Sequence, residues 1–311
     1  MTVYVSGIDI GGTKTVGVLA DERGRIVARK LVPTSERGSR IVDQVDTLFS
    51  DLIAEAGVCR EAVARTVVGI AGVAGPDGSV RHAPNLQPLE VAEDLELGSL
   101  LADRLGHQVR IENDVNLAAL AELANGASMP SSSFVFIAVG TGIGMGIVVD
   151  GALITGAHGA AGEIGLLPFG TDPLDTTNHH RGALEEATAG STVGDRYRAL
   201  TGTSRSMGEV LELALRGDEA AALVLDGQAK HTAQAIAAVV AVLDPACVVL
   251  GGGIGLLSEL LGPIKTWLGR FGFPRVDIRL SRAGRDAAAI GAVRLALQQL
   301  DRSRQTESAL A

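Results

Sequence analysis

Asp9-Ile10-Gly11-Gly12-Thr13-Lys14 is the stretch whose reading decides the fold, because its glycines separate two strand-like runs. Upstream, Val3 to Asp9 reads as a strand; downstream, Val16 to Ala20 reads as a second. P-loops and dinucleotide-binding loops both place a helix after their glycines, whereas here a strand follows. The chain contains no G-x-x-x-x-G-K-[ST], and Gly140 to Gly146 does not fit G-x-G-x-x-G. What remains is a hairpin whose bare tip lets backbone N–H groups approach phosphate oxygens.

The phrase occurs twice. Val139-Gly140-Thr141-Gly142 again joins two apolar runs, Phe134 to Val139 and Gly144 to Val149, through glycines and a threonine. This repetition points to two α/β lobes built on one plan. Either loop alone is equally well read as an ordinary glycine hairpin. Together, with Asp9 and Lys14 at the first, they favour a pair of loops that clamp a polyphosphate.

Around these hairpins the pattern continues as α/β. A third strand is predicted near Arg25 to Val32 after the turn Asp21-Glu22-Arg23-Gly24. Ile41, Val45, Leu48, Leu52 and Ile53 recur at helical spacing, with Gly57 as a stop. Further strands are expected at Thr66 to Ile70, Val109 to Glu112, Cys247 to Leu250 and Val276 to Leu280. Helices are expected near Asp94 to Leu105, Val115 to Leu123, within Ala183 to Leu243, and at Leu256 to Leu268 and Asp286 to Leu300. Gly251-Gly252-Gly253 reads as a loop and Asp301 to Ala311 as a frayed tail.

Composition narrows the function classes. The 311 residues are 46% hydrophobic and only 3% aromatic, with 40 glycines, so the core must be aliphatic. At roughly 100–200 residues per domain the length implies about two domains. The net charge of −9, without a basic run, argues against a nucleic-acid partner. Ala235 to Leu243, the longest apolar stretch, falls short of the ~20 residues of a membrane span. The N-terminus lacks a basic n-region, so no signal peptide is expected and a cytoplasmic location is. Cys59 and Cys247, both in apolar surroundings, read as buried reduced thiols.

Several polar clusters carry candidate chemistry. Glu112-Asn113-Asp114-Val115-Asn116 lies between a predicted strand and helix, where Asn113 or Asp114 could be a helix cap and where α/β proteins also bind ligands. Gly162-Glu163-Ile164-Gly165 and Gly182-Ala183-Leu184-Glu185 could each be plain loops. Gly251 to Gly253 could simply turn the chain or admit a flat adenine.

In this order, together with Gly72 to Pro76 and Pro84-Asn85-Leu86, these segments resemble the ROK family of sugar kinases and sugar-responsive repressors, from about Val5 to Leu297. The resemblance implies a two-lobed actin-like/hexokinase (ribonuclease H-like) ATPase fold with an interlobe cleft. It divides the chain into an N-terminal lobe of residues 1–117 plus 288–311 and a C-terminal lobe of residues 118–287. It also implies ATP-dependent phosphorylation of a hexose, with Asp114 as general base. Asp9, Gly11, Gly12, Thr13, Lys14, Thr141 and Gly142 would hold the phosphates, with Mg²⁺ near Asp9, and Gly251, Gly252 and Gly253 would line the adenosine site. Gly72, Asn85, Asn113, Glu163 and Glu185 would contact the sugar. A homodimer or homotetramer is implied too.

Two departures stand out. Many members follow Gly-Glu-Ile-Gly with a His that touches sugar and zinc; here the position is Leu166. The zinc-binding cysteines are absent as well, since the matching stretch runs Asn178-His179-His180-Arg181-Gly182. No structural zinc is therefore expected, and His180 is a candidate to replace the missing donor. DNA-binding members carry a helix-turn-helix ahead of the first loop, and the segment before Asp9 leaves no room for one. The competing reading is a non-catalytic sugar-binding regulator.

Overall fold

Strands β1 (Tyr4–Ile10), β2 (Lys14–Asp21) and β3 (Ile26–Pro33) form an antiparallel meander. The β2–β3 turn is shaped by Asp21, whose Oδ1 accepts the N–H groups of Arg23 (3.0 Å) and Arg25 (2.9 Å), and by Gly24 at φ +77°. β4 (Val63–Ile70) adds parallel to β1. A small hairpin of β5 (Val73–Ala74) and β6 (Val80–Arg81) follows, and then β7 (Gln108–Asn113) adds parallel to β4. The sheet order is β3-β2-β1-β4-β7. The computed structural model describes residues 2–34, 38–75, 77–81, 96–124 and 132–310.

Helices cover both faces of this sheet. On one side α1 (Gly38–Ala56) and α2 (Leu97–Leu105) bury Ile41, Val45, Leu48, Phe49, Leu101 and Leu105 against Ile8, Leu19 and Val68. Each such side chain contributes roughly 1.5–3 kcal/mol when fully removed from water. On the other side α3 (Asp114–Ala124) lies beside the C-terminal helix, residues 287–310. The latter meets Val5, Val16 and Val67 mostly with alanines, among them Ala289, Ala292 and Ala296. Small residues are needed there: a Cβ on Gly291 would run into the carbonyl oxygen of Leu117.

A second sheet has order β10-β9-β8-β11-β12, from β8 (Phe134–Val139), β9 (Ile143–Val149), β10 (Ala152–Ile154), β11 (Val248–Gly251) and β12 (Ile278–Leu280). It repeats the plan of the first. A central strand pairs antiparallel with its hairpin partner on one side, β8 with β9, and parallel with β11 on the other. Helices α4 (Ala183–Thr188), α5 (Gly190–Thr201), α6 (Met207–Leu215) and α7 (Glu219–Leu243) precede β11; α8 (Gly252–Gly255) and α9 (Ser258–Arg270) follow it, and residues 287–310 form α10. Ser206 and Glu209 close a capping box on α6, and Asp218 caps α7 through the Ala221 N–H at 2.7 Å. Among the described residues no helix is long and apolar enough to cross a membrane.

The chain divides into two compact units, Met1–Met129 with Leu153–Ala161 and Arg282–Ala311, and Pro130–Ala152 with Gly162–Ser281. The expected division after residues 117 and 287 cuts through α3 and α10. The first unit instead keeps both helices whole, because they pack on each other and α10 packs on β1 and β4. Three expectations need correction. Cys59 is exposed, since it stands at the entry to the short 3-10 turn Arg60–Ala62, whereas Cys247 is buried. Gly252 and Gly253 begin α8 instead of forming a loop. The tail is helical to Leu310, with Ser303 and Thr306 hydroxyls bonded to carbonyls one turn back.

Candidate functional site

In the first unit the strand registers bring the polar motifs together. Asp9 on β1 stands opposite Gly69 on β4, and Gly69 opposite Glu112 on β7; Ile70 stands opposite Asn113. Asp9, Glu112 and Asn113 therefore lie at the C-terminal ends of neighbouring parallel strands, where open α/β sheets bind ligands. Asp114 follows as the first residue of α3.

The β1–β2 tip is held from behind. The Gly11 N–H donates to Lys14 O (2.9 Å), and Thr34 donates its hydroxyl to Gly11 O (2.6 Å) and its N–H to Thr13 O (3.0 Å). Gly12, Thr13 and Lys14 are exposed. Behind this tip, Asp9 Oδ1 is buried and has no hydrogen-bond partner among the described residues. Burial first, and then the nearby charges of Asp114 and Asp286, push the Asp9 carboxyl up to about 7. An orphaned carboxylate oxygen beside an exposed glycine tip fits a hard cation carried by a polyphosphate.

Asn113 settles how the helix start is capped. Its Oδ1 accepts the N–H groups of Val115 (2.9 Å) and Asn116 (3.1 Å), and its Nδ2 donates to Gly72 O (3.0 Å). Gly72 and Asn113, both expected at the sugar, are thus in contact. With Asn113 capping, Asp114 needs only the Val115 N–H (2.9 Å). Burial raises the Asp114 carboxyl above the ordinary carboxylate range, partly offset by that backbone bond.

Two supports were missed in the sequence. Glu112 is buried; it accepts from Arg110 (2.7 Å), from the Asn113 N–H (3.1 Å) and from Asn116 Nδ2 (2.9 Å), and so orients the capping asparagine. Asp286, just ahead of α10, forms a bidentate pair with Arg29 on β3 at 2.6 and 2.8 Å. An Asp before a helix reads as a cap, so nothing in the sequence tied it to Asp9. A groove of about 590 Å³ runs along β7 past Arg65, Arg110 and Glu112, but neither Asp9 nor Asp114 lines it. Asn85 lies outside the described residues.

The second unit gathers the other motifs. At the β8–β9 tip the Gly140 N–H donates to Gly142 O (2.9 Å), and the Gly190 N–H donates to Gly140 O (2.8 Å). Thr141 is exposed. Glu185, on α4, accepts the Ile143 N–H through Oε2 at 3.3 Å, and a Cβ on Gly142 would sit 2.7 Å from the same oxygen. A Cβ on Gly165 would lie 3.2 Å from Glu185 as well, so both glycines make room for it. Glu163 enters the 3-10 turn Ile164–Leu166 directly after Gly162. Gly252, at φ +77°, has space only for hydrogen against Val139 O, which seats Gly251 to Gly253 beside the hairpin. Leu166 is 60% exposed.

In the stretch where a zinc loop would lie, Asp172 caps the Leu174 N–H and Asp175 the Thr177 N–H, each at 2.9 Å. His179 Nε2 lies 3.0 Å from Pro173 O. His180 ends the 3-10 turn Thr176–His180, and its side chain lies outside the described residues.

Comparisons with known proteins place the chain in a family. The family model described as ROK family matches residues 5–299. The chain is 31% identical over 300 residues to a bifunctional enzyme NanE/NanK of Brucella melitensis, covering 94% of this chain and 54% of that protein. It therefore spans about half the length of that relative. An N-acetylmannosamine kinase of Escherichia coli is 31% identical over 300 residues, covering 93% of this chain and 97% of its own. A ROK family glucokinase from Streptomyces griseus, solved with glucose and AMPPNP, is 27% identical with a TM-score of 0.74, over 95% of this chain and 99% of that one.

Proposed function

The chain belongs to the ROK family and has its actin-like/hexokinase ATPase fold; from that premise we propose that it transfers the γ-phosphoryl group of ATP to a hydroxyl of a hexose or hexose derivative, with Asp114 as general base. The observation that carries the reading is the pairing of Asp114, a carboxylate made more basic by burial, with Asp9, a carboxylate whose buried oxygen lacks a partner among the described residues. A base works best when its pKa approaches the working pH, and such proton transfer is typically worth about 10²–10⁴ in rate.

Phosphoryl transfer asks a protein mainly for position and charge stabilisation. Asp114 accepts the proton of the attacking hydroxyl. Asn113, fixed by Glu112 and by its bond to Gly72 O, leaves Asp114 free of the capping task. Glu163 and Glu185 supply carboxylates able to accept from sugar hydroxyls. The tips at Gly11 to Lys14 and at Thr141-Gly142 hold the phosphates through backbone N–H groups, and Gly251 to Gly253 flank the adenosine. Asp9 holds Mg²⁺ when Mg-ATP is bound, and the ion supplies charge neutralisation at the phosphates. We place the reaction in the cytoplasm and expect a homodimer or homotetramer.

The test is ADP release from Mg-ATP over hexoses, N-acetylhexosamines and amino sugars. Turnover with at least one sugar is expected, and none with any sugar would overturn the reading. A second reading, a sugar-binding regulator without turnover, draws its support from Leu166, an exposed leucine where many members carry a histidine. Sugar binding without ADP release would establish it.

A further inference from the structure

Glu122 is a buried acid, 2% exposed, on a stretch of α3 otherwise made of Ala and Leu. A carboxylate in such surroundings costs several kcal/mol unless it is hydrogen-bonded. Glu122 Oε1 accepts two backbone N–H groups, from Arg282 at 3.1 Å and from Ala283 at 3.0 Å. Those amides open the last of the first unit's three stretches, which begins at Arg282. One residue earlier the bonding belongs to the second unit, for the Ser281 N–H donates to Leu250 O on β11 at 2.8 Å.

The crossing at Ala161–Gly162 follows the same pattern. The Ala161 N–H donates to Thr155 O (3.1 Å) within the first unit, while Gly162 O accepts the Met145 N–H (3.0 Å) within the second. At these two of the chain's four crossings the backbone changes its anchorage within a single peptide. The return crossing differs in relying on a charged side chain, placed on the helix that Asp114 begins. Just beyond it lies Asp286, paired with Arg29, so displacement of Arg282–Ala283 would reach the Asp9 side of the site.

We propose that Glu122 is a positioning residue for phosphoryl transfer: by holding the Arg282 and Ala283 amides it fixes the start of the first unit's last stretch, and with it Asp286 ahead of α10. This rests on the kinase reading, in which the Asp9 carboxylate that Asp286 neighbours works on the phosphates. Alanine in place of Glu122 would fill α3 equally well and would leave both amides without their acceptor. Glutamine keeps an oxygen at the same reach, whereas aspartate keeps the charge and withdraws it.

The experiment compares full-length wild type with Glu122→Gln, Glu122→Asp and Glu122→Ala in three measurements: amide hydrogen exchange at Arg282 and Ala283, thermal midpoint, and kcat and KM with a sugar that the wild type phosphorylates. Exchange at both amides should be slow in wild type and Glu122→Gln, and at least about ten-fold faster in the Asp and Ala variants. Mutational couplings of this kind change rates by roughly 2- to 30-fold. kcat should fall about ten-fold in Glu122→Asp and Glu122→Ala, with KM rising alongside, and stay within about two-fold in Glu122→Gln. Wild-type kcat in a folded Asp or Ala variant would overturn the proposal, as would a Gln variant as impaired as Ala. Should Ala not fold, the Gln–Asp contrast decides. If the wild type phosphorylates no sugar, the kinase reading fails by itself, while the exchange measurement still tests the anchor.

Discussion

Asp9→Asn should change how stability depends on pH, and the size of the effect follows from where Asp9 sits. Its carboxyl is held at about 7 in the folded protein against an ordinary 3.8. Between those values the folded protein binds a proton that the unfolded chain has released. Stability from this group therefore falls as pH rises, by up to about 1.4 kcal/mol per unit, and levels off above the folded value. From pH 5 to pH 8 the wild type without metal or nucleotide should lose about 2–3 kcal/mol relative to Asp9→Asn, after integration of that slope. Urea melts of both proteins at pH 5, 6, 7 and 8 in a chelator measure the difference directly, since every other titrating group is common to both. Parallel curves would refute the reasoning, as they would mean that Asp9 ionises without cost and needs no partner. A cation at Asp9 reverses the burden, so Mg-ATP should flatten the wild-type dependence and leave Asp9→Asn unchanged.

Two further outcomes are expected. Gly162→Ala should destabilise the protein by roughly 1–3 kcal/mol, because Gly162 has φ +97° and a Cβ there meets Met145 O; a thermal melt that does not move contradicts this. In the native protein one thiol, Cys59, should react quickly with a thiol reagent, and Cys247 only on unfolding; two fast thiols would contradict the packing around β11.

Much of the fold was legible because its signals are local. Strands on either side of Gly11-Gly12 and of Gly140-Thr141-Gly142 are short, largely apolar runs set off by glycine turns, and the two sheets share one strand plan. The places of Asp9 to Lys14 and Thr141-Gly142 at hairpin tips, and of Asn113 and Asp114 at a strand-to-helix junction, were legible for the same reason. Glu112, Glu122 and Asp286 were not. Each acts through a partner that only folding supplies: Asn116 Nδ2 and Arg110 for Glu112, the Arg282 and Ala283 amides for Glu122, and Arg29 for Asp286. A buried acid on a helix and an acid ahead of one look, in sequence, like a solvated face and a cap. Cys59 misled in the opposite direction, because an apolar neighbour such as Val58 does not prevent a residue at a turn entry from facing water. Helix–helix packing, here α3 on α10, has no signature in either segment alone.

The most direct test of the central claim is turnover by Asp114→Asn, with sugar and nucleotide binding measured by calorimetry on the same samples. The asparagine keeps the shape of the site and removes the proton acceptor. Binding should persist while kcat falls by about 10²-fold or more. Turnover near the wild-type rate with binding intact would contradict the account, and the base would have to be sought elsewhere.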